Sequence, residues 1–262
     1  MAEQALYRRP SWLLFALEIP RATADAAVLG PAWPVLRLAP HGDGHPVLTL
    51  PGFTASDVST RILRCFLRSR GYHVHAWRLG RNLGPNPVTI EGLRTRVRQL
   101  AEEHRRPMSL VGWSLGGIYA REIARAAPSA VRQVITLGSP LRLRDRSGSN
   151  AGALFEALRG SQRESHPPER PPEEARGPLP VPTTAIFTRS DGVVPWRACL
   201  EIPSNTSESV EVFGSHSGLG FNPAALWIIA DRLAQREGAW HPFQVHGVAA
   251  PLFRLERERQ QS

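Results

Sequence analysis

The fold of this 262-residue chain is decided by one stretch, Met108-Ser109-Leu110-Val111-Gly112-Trp113-Ser114-Leu115-Gly116-Gly117. Its first half is an apolar run typical of a buried strand, and the segment from Leu115 to about Ala127 has a helical pattern. The residues between them have the form G-x-S-x-G. In this motif the serine lies on a sharp strand-to-helix turn, and a side chain two residues away on either side would collide with the strand or the helix. The stretch therefore predicts a tight turn that exposes Ser114.

Strands and helices alternate along the chain on both sides of this turn. Further strands are predicted at Pro46–Leu50, Tyr72–Trp77, Val131–Leu137, Val181–Thr188 and Ser209–Phe213. Helices are predicted at about Asp57–Arg70, at Val88–His104, and after Asn222-Pro223, which is a cap followed by proline at the first helical position. This alternation predicts an α/β fold with a mostly parallel central sheet and helices on both of its faces.

The chain length fits one α/β domain with an insertion better than two full domains. We expect an N-terminal arm at 1–45, the main domain at 46–236 and a C-terminal tail at 237–262, whose polar end Glu256–Ser262 should fray. Residues 141–180 break the alternation with a segment rich in arginine, glycine, serine and proline. An excursion of about 40 residues between two strands either caps the active site or forms a surface loop, and we expect a short cap or lid.

A serine nucleophile needs a neighbouring base, and histidine can accept and return a proton near neutral pH. On folds with this turn, the chain order is nucleophile, acid, histidine. Four histidines follow Ser114 in the chain: His166, His216, His241 and His246. We predict His216 as the base because it lies in a glycine- and serine-rich loop that leaves the last strand. His166 lies in the insertion, and the other two follow the final helix with no strand to orient them.

The acid must lie between Ser114 and His216 in the chain. Asp145 falls at the start of the insertion, whereas Asp191 follows the predicted strand Val181–Thr188. We predict Asp191, whose carboxylate would orient the histidine and stabilise its imidazolium form. A structural turn aspartate is the alternative for this position.

Two backbone N–H groups are expected to stabilise the oxyanion of a tetrahedral intermediate. One belongs to Leu115, the residue after the nucleophile. The other is assigned to Phe53 in Pro51-Gly52-Phe53, which turns tightly after the strand Pro46–Leu50. The same tripeptide is also compatible with a simple strand-ending turn.

Five segments in their order along the chain resemble the lipase and esterase branch of the α/β-hydrolase superfamily, including bacterial triacylglycerol lipases. They are Leu50-Pro51-Gly52-Phe53, Gly112 to Gly117, Leu137-Gly138-Ser139-Pro140, Ser190 to Val194 and Gly214-Ser215-His216. Pro51 and Trp113 stand where many of these relatives carry histidine. The resemblance implies the α/β-hydrolase fold and hydrolysis of small-molecule or lipid carboxylic esters through an acyl-enzyme, without a metal or cofactor.

Four alternatives stay open at the level of sequence. A thioesterase, an amidase or an acyltransferase would use the same residues, because only the leaving group or the acceptor differs. A hydrolase-like protein that binds a partner without turnover is the fourth. We find no P-loop, no dinucleotide fingerprint and no Cys or His cluster with metal-ligand spacing, so no cofactor or metal is expected. The oligomeric state is not predicted.

The composition bears on partners. All 32 basic residues are arginines, and the formal net charge is +9. A chain without lysine indicates a high-GC coding bias rather than a designed basic patch, so specific nucleic-acid binding is not predicted, whereas weak attraction to an anionic lipid surface is. No apolar run approaches the roughly 18 residues of a membrane span, and the protein is expected to be soluble.

The N-terminus and the cysteines bear on the cellular compartment. Arg8 and Arg9 precede the apolar run Trp12–Leu17, but Glu18 and Pro20 end that run too early for a signal peptide, so we expect a cytoplasmic protein. Two cysteines are too few for a disulfide framework. We expect reduced structural thiols, with Cys65 on the apolar stripe of its helix.

Overall fold

Six short strands pair into one sheet in the computed structural model, which describes residues 7–143, 148–150, 152, 171, 173–245 and 247–253. All five neighbouring pairs are parallel, and the spatial order is β2-β1-β3-β4-β5-β6. The strands are β1 (Pro46–Leu50), β2 (His73–Ala76), β3 (Met108–Trp113), β4 (Val131–Leu137), β5 (Thr183–Phe187) and β6 (Ser207–Glu211). The predicted α/β class is confirmed.

Helices connect these strands and cover the sheet. They are α1 (Trp12–Ala16), α2 (Glu18–Leu36), α3 (Arg61–Ser69), α4 (Pro87–His104), α5 (Leu115–Ala126), α6 (Glu173–Arg176) and α7 (Pro223–Ala234). Asn86 caps α4 and Asn222 caps α7, each followed by proline at the start of the helix. The cap predicted at Asn222-Pro223 is therefore confirmed.

The apolar core lies on both faces of the sheet, as the sequence predicts. Along β1, Val47 points to one face and Leu48 and Leu50 to the other, because successive strand side chains alternate. The first face is covered by α3 and α7, and the second by α4 and α5. Strands β1, β3, β4 and β5 are buried throughout, as expected for the central strands of a parallel sheet whose two faces are both covered by helices.

The order of the strands fixes where a site can form. The chain runs from β1 outward to β2 and then returns to the opposite side of β1 with β3. At such a reversal the loops after the two neighbouring strands leave in opposite directions, and a crevice opens at the carboxyl edge of the sheet. Gly52 follows β1 and Ser114 follows β3, so both lie at this crevice.

Several element boundaries and one buried stripe differ from the predictions. Helix α3 begins at Arg61 rather than near Asp57, because the Asp57 carboxylate accepts hydrogen bonds from the backbone N–H groups of Trp77 and Arg78 instead of capping a helix. Strand β6 is shifted two residues towards the N-terminus by its pairing with β5. The stripe predicted for α3 was wrong: Cys65 is exposed, and Phe66 and its neighbours Leu63 and Leu67 form the buried face.

The N-terminal region forms helices that the sequence did not predict. Pro31 and Pro34 lie inside α2, whose residues Ala32 and Leu36 are buried. Trp33 of this helix packs edge-on against Phe66 of α3, with ring centroids 6.3 Å apart. Proline removes a helical hydrogen bond and normally argues against a helix, so here tertiary packing outweighs the local preference.

Most of the segment 141–180 lies outside the described residues, so the cap or lid stays a prediction. Helix α6 is part of this segment and is described. Among the residues that the structure describes, no helix combines the length and the apolar character needed to cross a bilayer.

Candidate active site

Ser114 occupies the turn between β3 and α5 in a conformation that L-residues rarely adopt, with φ 53° and ψ −119°. Its N–H donates to the carbonyl of Leu137 on β4 at 2.8 Å, which ties the turn to the neighbouring strand. Such strain persists only where the surrounding structure enforces it, and it concentrates at functional sites. The turn projects the serine side chain from the carboxyl edge of the sheet.

Glycines make this turn sterically possible. A Cβ atom added at Gly112 would lie 2.4 Å from Gly117 Cα, and one added at Gly116 would lie 2.3 Å from the Leu50 carbonyl oxygen. Both distances are far below van der Waals contact with backbone atoms that have little freedom to move. The spacing of G-x-S-x-G therefore reflects close packing of α5 against β1 and β3.

The structure brings Asp191 and His216 together, from the loops after β5 and β6. His216 Nδ1 lies 2.6 Å from Asp191 Oδ2, and both side chains are buried. Asp191 Oδ1 accepts the N–H groups of Val193 and Val194, each at 2.8 Å. With the proton on Nδ1 donated to the carboxylate, Nε2 of a neutral imidazole is left as the acceptor. That is the arrangement a general base requires.

The electrostatics favour the protonated form of His216. Burial by itself would lower the pKa of the imidazole, but the charge and hydrogen bond of Asp191 and the charge of Glu18 outweigh it, and the pKa of His216 is raised above its ordinary value. The site is thus arranged to stabilise an imidazolium ion.

The backbone places His216 beside the serine turn. Trp113, the residue before Ser114, donates its indole N–H to the His216 carbonyl at 3.1 Å. Gly138 follows β4 with φ 54°, and a Cβ there would lie 2.9 Å from His216 Nδ1. No hydrogen bond between Ser114 and His216 is present among the described residues. Such bonds are often long before substrate binds.

The turn after β1 lies against the serine. A Cβ added at Gly52 would lie 3.3 Å from Ser114 Cβ and 4.0 Å from its Oγ, so the main chain passes close to the hydroxyl. Phe53 is the next residue in this turn. Leu115 opens α5, where the first N–H groups have no acceptor within the helix. Both residues predicted to supply oxyanion donors therefore neighbour Ser114.

The remaining candidates have different positions. His241 is exposed, and its backbone N–H binds the side chain of Gln235. His166, His246 and Asp145 lie outside the described residues. Over the described ranges, there is no group of three or more His, Cys, Asp or Glu side chains with the geometry to hold a metal ion.

Glu18 is a site residue that sequence reasoning missed. In the sequence, Glu18 indicates only the end of the apolar run Trp12–Leu17. In the structure its side chain is buried, and its carboxylate binds backbone N–H groups of both the Asp191 loop and the His216 loop. A lone acidic residue after an apolar run was the available indication. Its partners lie more than 170 residues away in sequence, so the pattern did not reveal them.

Comparison with known proteins places this geometry in context. No protein-family profile matches the chain. A carboxylesterase from Bacillus subtilis (strain 168) is 24% identical over 143 residues, which cover 52% of this chain and 57% of that protein. The structure of Aspergillus fumigatus lipase B superimposes with a TM-score of 0.53 and 16% identity, over 75% of this chain and 54% of that one.

A second solved structure covers nearly the whole of its own chain. It is a Mycobacterium tuberculosis H37Rv protein assigned as the non-heme bromoperoxidase BpoC, with a TM-score of 0.52 and 18% identity over 74% of this chain and 92% of that one. The present chain spans little more than half the length of the carboxylesterase and of the lipase. The likeness in structure identifies the α/β-hydrolase fold, as the resemblance implied.

Proposed function

Starting from the α/β-hydrolase fold of this chain, we propose that it is a serine hydrolase that cleaves carboxylic esters with Ser114, His216 and Asp191 as a catalytic triad. The observation that carries the proposal is the strained backbone of Ser114 at the turn between β3 and α5. A φ of 53° is a backbone conformation that a serine rarely adopts, and a nucleophile presented to a substrate at a strand-to-helix turn requires such a conformation. The hydrogen-bonded pair of Asp191 and His216 at the same edge supports it.

In the proposed reaction, Ser114 Oγ attacks the ester carbonyl carbon while His216 Nε2 takes the hydroxyl proton. The tetrahedral intermediate collapses, the bond from carbon to the leaving oxygen breaks, and His216 returns the proton to the departing alcohol. Water then attacks the acyl-enzyme with His216 again acting as base, which releases the carboxylic acid and restores Ser114. No electrons are exchanged with another molecule in this cycle.

The proposed reaction needs an oriented histidine and donors to the oxyanion, and the site offers candidates for both. Asp191 is fixed by two backbone N–H groups, so its carboxylate keeps one orientation as it holds Nδ1 of His216. The N–H groups of Leu115 and Phe53 are our proposed donors to the oxyanion, because Leu115 follows Ser114 in the chain and Phe53 follows Gly52, which lies against the serine. The carboxylesterase similarity favours an ester as the substrate, whether a small molecule or a lipid.

The experiment that tests this proposal is hydrolysis of p-nitrophenyl esters from acetate to palmitate, with wild type beside Ser114→Ala. We expect turnover in wild type and a loss of at least about 10³-fold in the variant, since removal of a triad nucleophile leaves only the contribution of binding and oxyanion stabilisation. The acyl length with the highest kcat/KM then distinguishes a short-chain esterase from a lipase. Ser129→Ala, a serine in the turn before β4, is the matched control and should retain full activity.

Wild-type turnover that survives Ser114→Ala would contradict the proposal. If wild type cleaves thioesters but no ester of any length, the ester assignment is wrong and a thioesterase or acyltransferase takes its place. Binding of ester ligands without turnover would instead favour a non-catalytic hydrolase-like protein.

A further inference from the structure

The N-terminal helix α2 packs on the two loops that carry the Asp191–His216 pair. Its first residue, Glu18, is 3% exposed. Glu18 Oε1 accepts the N–H of Gly192 at 2.8 Å and that of His216 at 3.3 Å, and Oε2 accepts the N–H of Ser217 at 2.9 Å. One carboxylate thus joins the residue after the proposed acid to the proposed base itself.

Two more residues on the same face of α2 continue this contact. Arg21 donates to Ser190 Oγ at 2.9 Å and to the Gly214 carbonyl, and Asp25 accepts the N–H of Ser215 at 2.9 Å and its hydroxyl at 2.7 Å. Residues 18, 21 and 25 are spaced by three and four, which places them on one side of a helix. The helix therefore binds the acid loop and the histidine loop through a continuous row of charged side chains.

Glycines in the two loops allow the N-terminal helices α1 and α2 to pack closely against them. A Cβ added at Gly192 would lie 2.4 Å from the Leu14 carbonyl oxygen, and one added at Gly218 would lie 2.0 Å from Asp25 Oδ2. A larger residue at position 192 would collide with the backbone of Leu14 and Phe15, and one at position 218 would displace the Asp25 carboxylate from Ser215. The fit is close on both sides of the pair.

We propose that Glu18 is a positioning residue of the active site: it holds the acid and histidine loops in register and stabilises, through its negative charge, the imidazolium that forms when His216 takes the Ser114 proton. The role assigned to His216 rests on the proposed function. The charged groups that face the imidazole and its loop are Asp191 from the loop after β5 and Glu18, Arg21 and Asp25 from α2.

Glu18→Gln separates charge from shape. Glutamine keeps the length and one acceptor oxygen, but it loses the negative charge and directs an NH₂ group towards an N–H donor. We expect kcat to fall about tenfold with little change in KM, which corresponds to about one pKa unit of lost imidazolium stabilisation. The pKa of His216, measured by NMR titration of its imidazole, should fall in parallel.

Two matched variants control for generic effects. Glu91→Gln removes the same charge from an exposed position on α4, and it should leave kcat, KM and the His216 titration unchanged. Arg21→Gln removes a neighbouring cation instead, so it should raise the pKa of His216, opposite to Glu18→Gln. General loosening of the loops would not produce shifts of opposite sign.

The outcomes are distinct. A lower His216 pKa and lower kcat in Glu18→Gln, with the opposite pKa shift in Arg21→Gln, supports the inference. Glu18→Gln could instead melt at a lower temperature while the folded variant keeps the wild-type kcat and the wild-type pKa of His216. Glu18 would then have a structural role only, and the inference would be wrong. If Glu18→Gln does not fold, the inference is judged on Arg21→Gln. A raised pKa of His216 in that variant supports it, and an unchanged or lowered pKa contradicts it. Should wild type show no Ser114-dependent turnover, the proposed function fails, and the NMR titrations still decide whether Glu18 acts on His216.

Discussion

At the scale of single residues, the site depends on how each polar group is held rather than on which groups are present. The chain has nine histidines, and among those that the structure describes, His216 is the one whose ring nitrogen meets a buried carboxylate fixed by two backbone donors. His45 also contacts an aspartate, Asp43, yet that carboxylate is half exposed and burial of the ring lowers the pKa of His45 to about 4. The two pairs therefore differ in chemistry despite similar hydrogen bonds.

Asp191→Asn tests the orientation of His216. The asparagine amide has nearly the same shape but carries no charge, and it favours the wrong tautomer of the imidazole. We expect kcat to fall by about 10⁴-fold, by analogy with other triads, while KM changes little. Steady-state kinetics with a p-nitrophenyl ester measures this. A variant with more than a tenth of wild-type kcat would show that Asp191 is a structural turn residue.

The pH dependence of kcat/KM tests the charge balance around His216. The base must be neutral to accept a proton, so activity falls as pH drops through its pKa. Because that pKa is raised, the acid limb should lie above pH 6.5, the ordinary value for histidine. Asp191→Asn should move the limb of the residual activity to lower pH. A wild-type limb below pH 6 would contradict this account.

At the scale of elements, the nucleophile turn depends on how closely α5 packs on β1. Gly116 lies in the first turn of α5 against the Leu50 carbonyl, and Ser114 is two residues away. Displacing the helix start would therefore move both the serine and the Leu115 N–H. The geometry of the site is thus inherited from one contact between a helix and a strand.

Gly116→Ala measures this dependence. The added methyl group has no room, so we expect a loss of about 1–3 kcal/mol in the free energy of unfolding together with a marked fall in kcat. Gly30→Ala is the matched control, because no atom lies within 4 Å of a Cβ added there in the interior of α2. It should be neutral or stabilising by up to about 1 kcal/mol. Denaturant unfolding and ester kinetics are measured on both variants. Equal changes in unfolding free energy and kcat would show that the close contact at Gly116 does not determine the site.

A buried ion cluster links α5 to segments distant in sequence. Arg121 is fully buried and binds Glu173 of α6 and Glu201 in the loop before β6, and Arg125 also binds Glu173 at 2.7 Å. Burial outweighs the attraction of Arg121 and raises the pKa of Glu201, whereas for Glu173 the two arginines overcome the effect of burial and its pKa is lowered. The cluster therefore links the C-terminal half of α5 to α6 and to the loop before β6.

Arg121→Met should leave two buried carboxylates without their main cation. We expect the free energy of unfolding to fall by about 3–5 kcal/mol. Arg98→Met breaks an ion pair with Glu91 whose side chains are 60% and 62% exposed, and it should cost less than about 1 kcal/mol. Urea denaturation measures the loss of unfolding free energy in each variant. Equal losses in Arg121→Met and Arg98→Met would show that the cluster is hydrated rather than buried.

At the scale of the whole molecule, local patterns predicted the sheet and its helices but not the contacts of the N-terminal region. Strands β1 and β4 were predicted to the residue, because their apolar runs are bounded by turn-forming residues on both sides. Helix α2 was not predicted, since Pro31 and Pro34 in its interior argue against a helix and its apolar residues lack a clear helical spacing. Its stability comes from tertiary packing.

The same distinction applies to the candidate site. Ser114, Asp191 and His216 each follow a predicted strand, so the topology of a parallel sheet brings their loops to one edge. Glu18 follows no such rule. It reaches the site only because α2 packs on the loops after β5 and β6, and contacts between such distant segments are not encoded in any local periodicity.

Labelling with a fluorophosphonate would show whether Ser114 is the nucleophile. In this reaction the serine oxygen bonds to phosphorus and fluoride leaves. We expect one stoichiometric adduct, located by mass spectrometry on the peptide that contains Ser114, with labelling abolished in Ser114→Ala and greatly slowed in His216→Ala. An adduct on a different residue, or no adduct on folded wild-type protein, would contradict it.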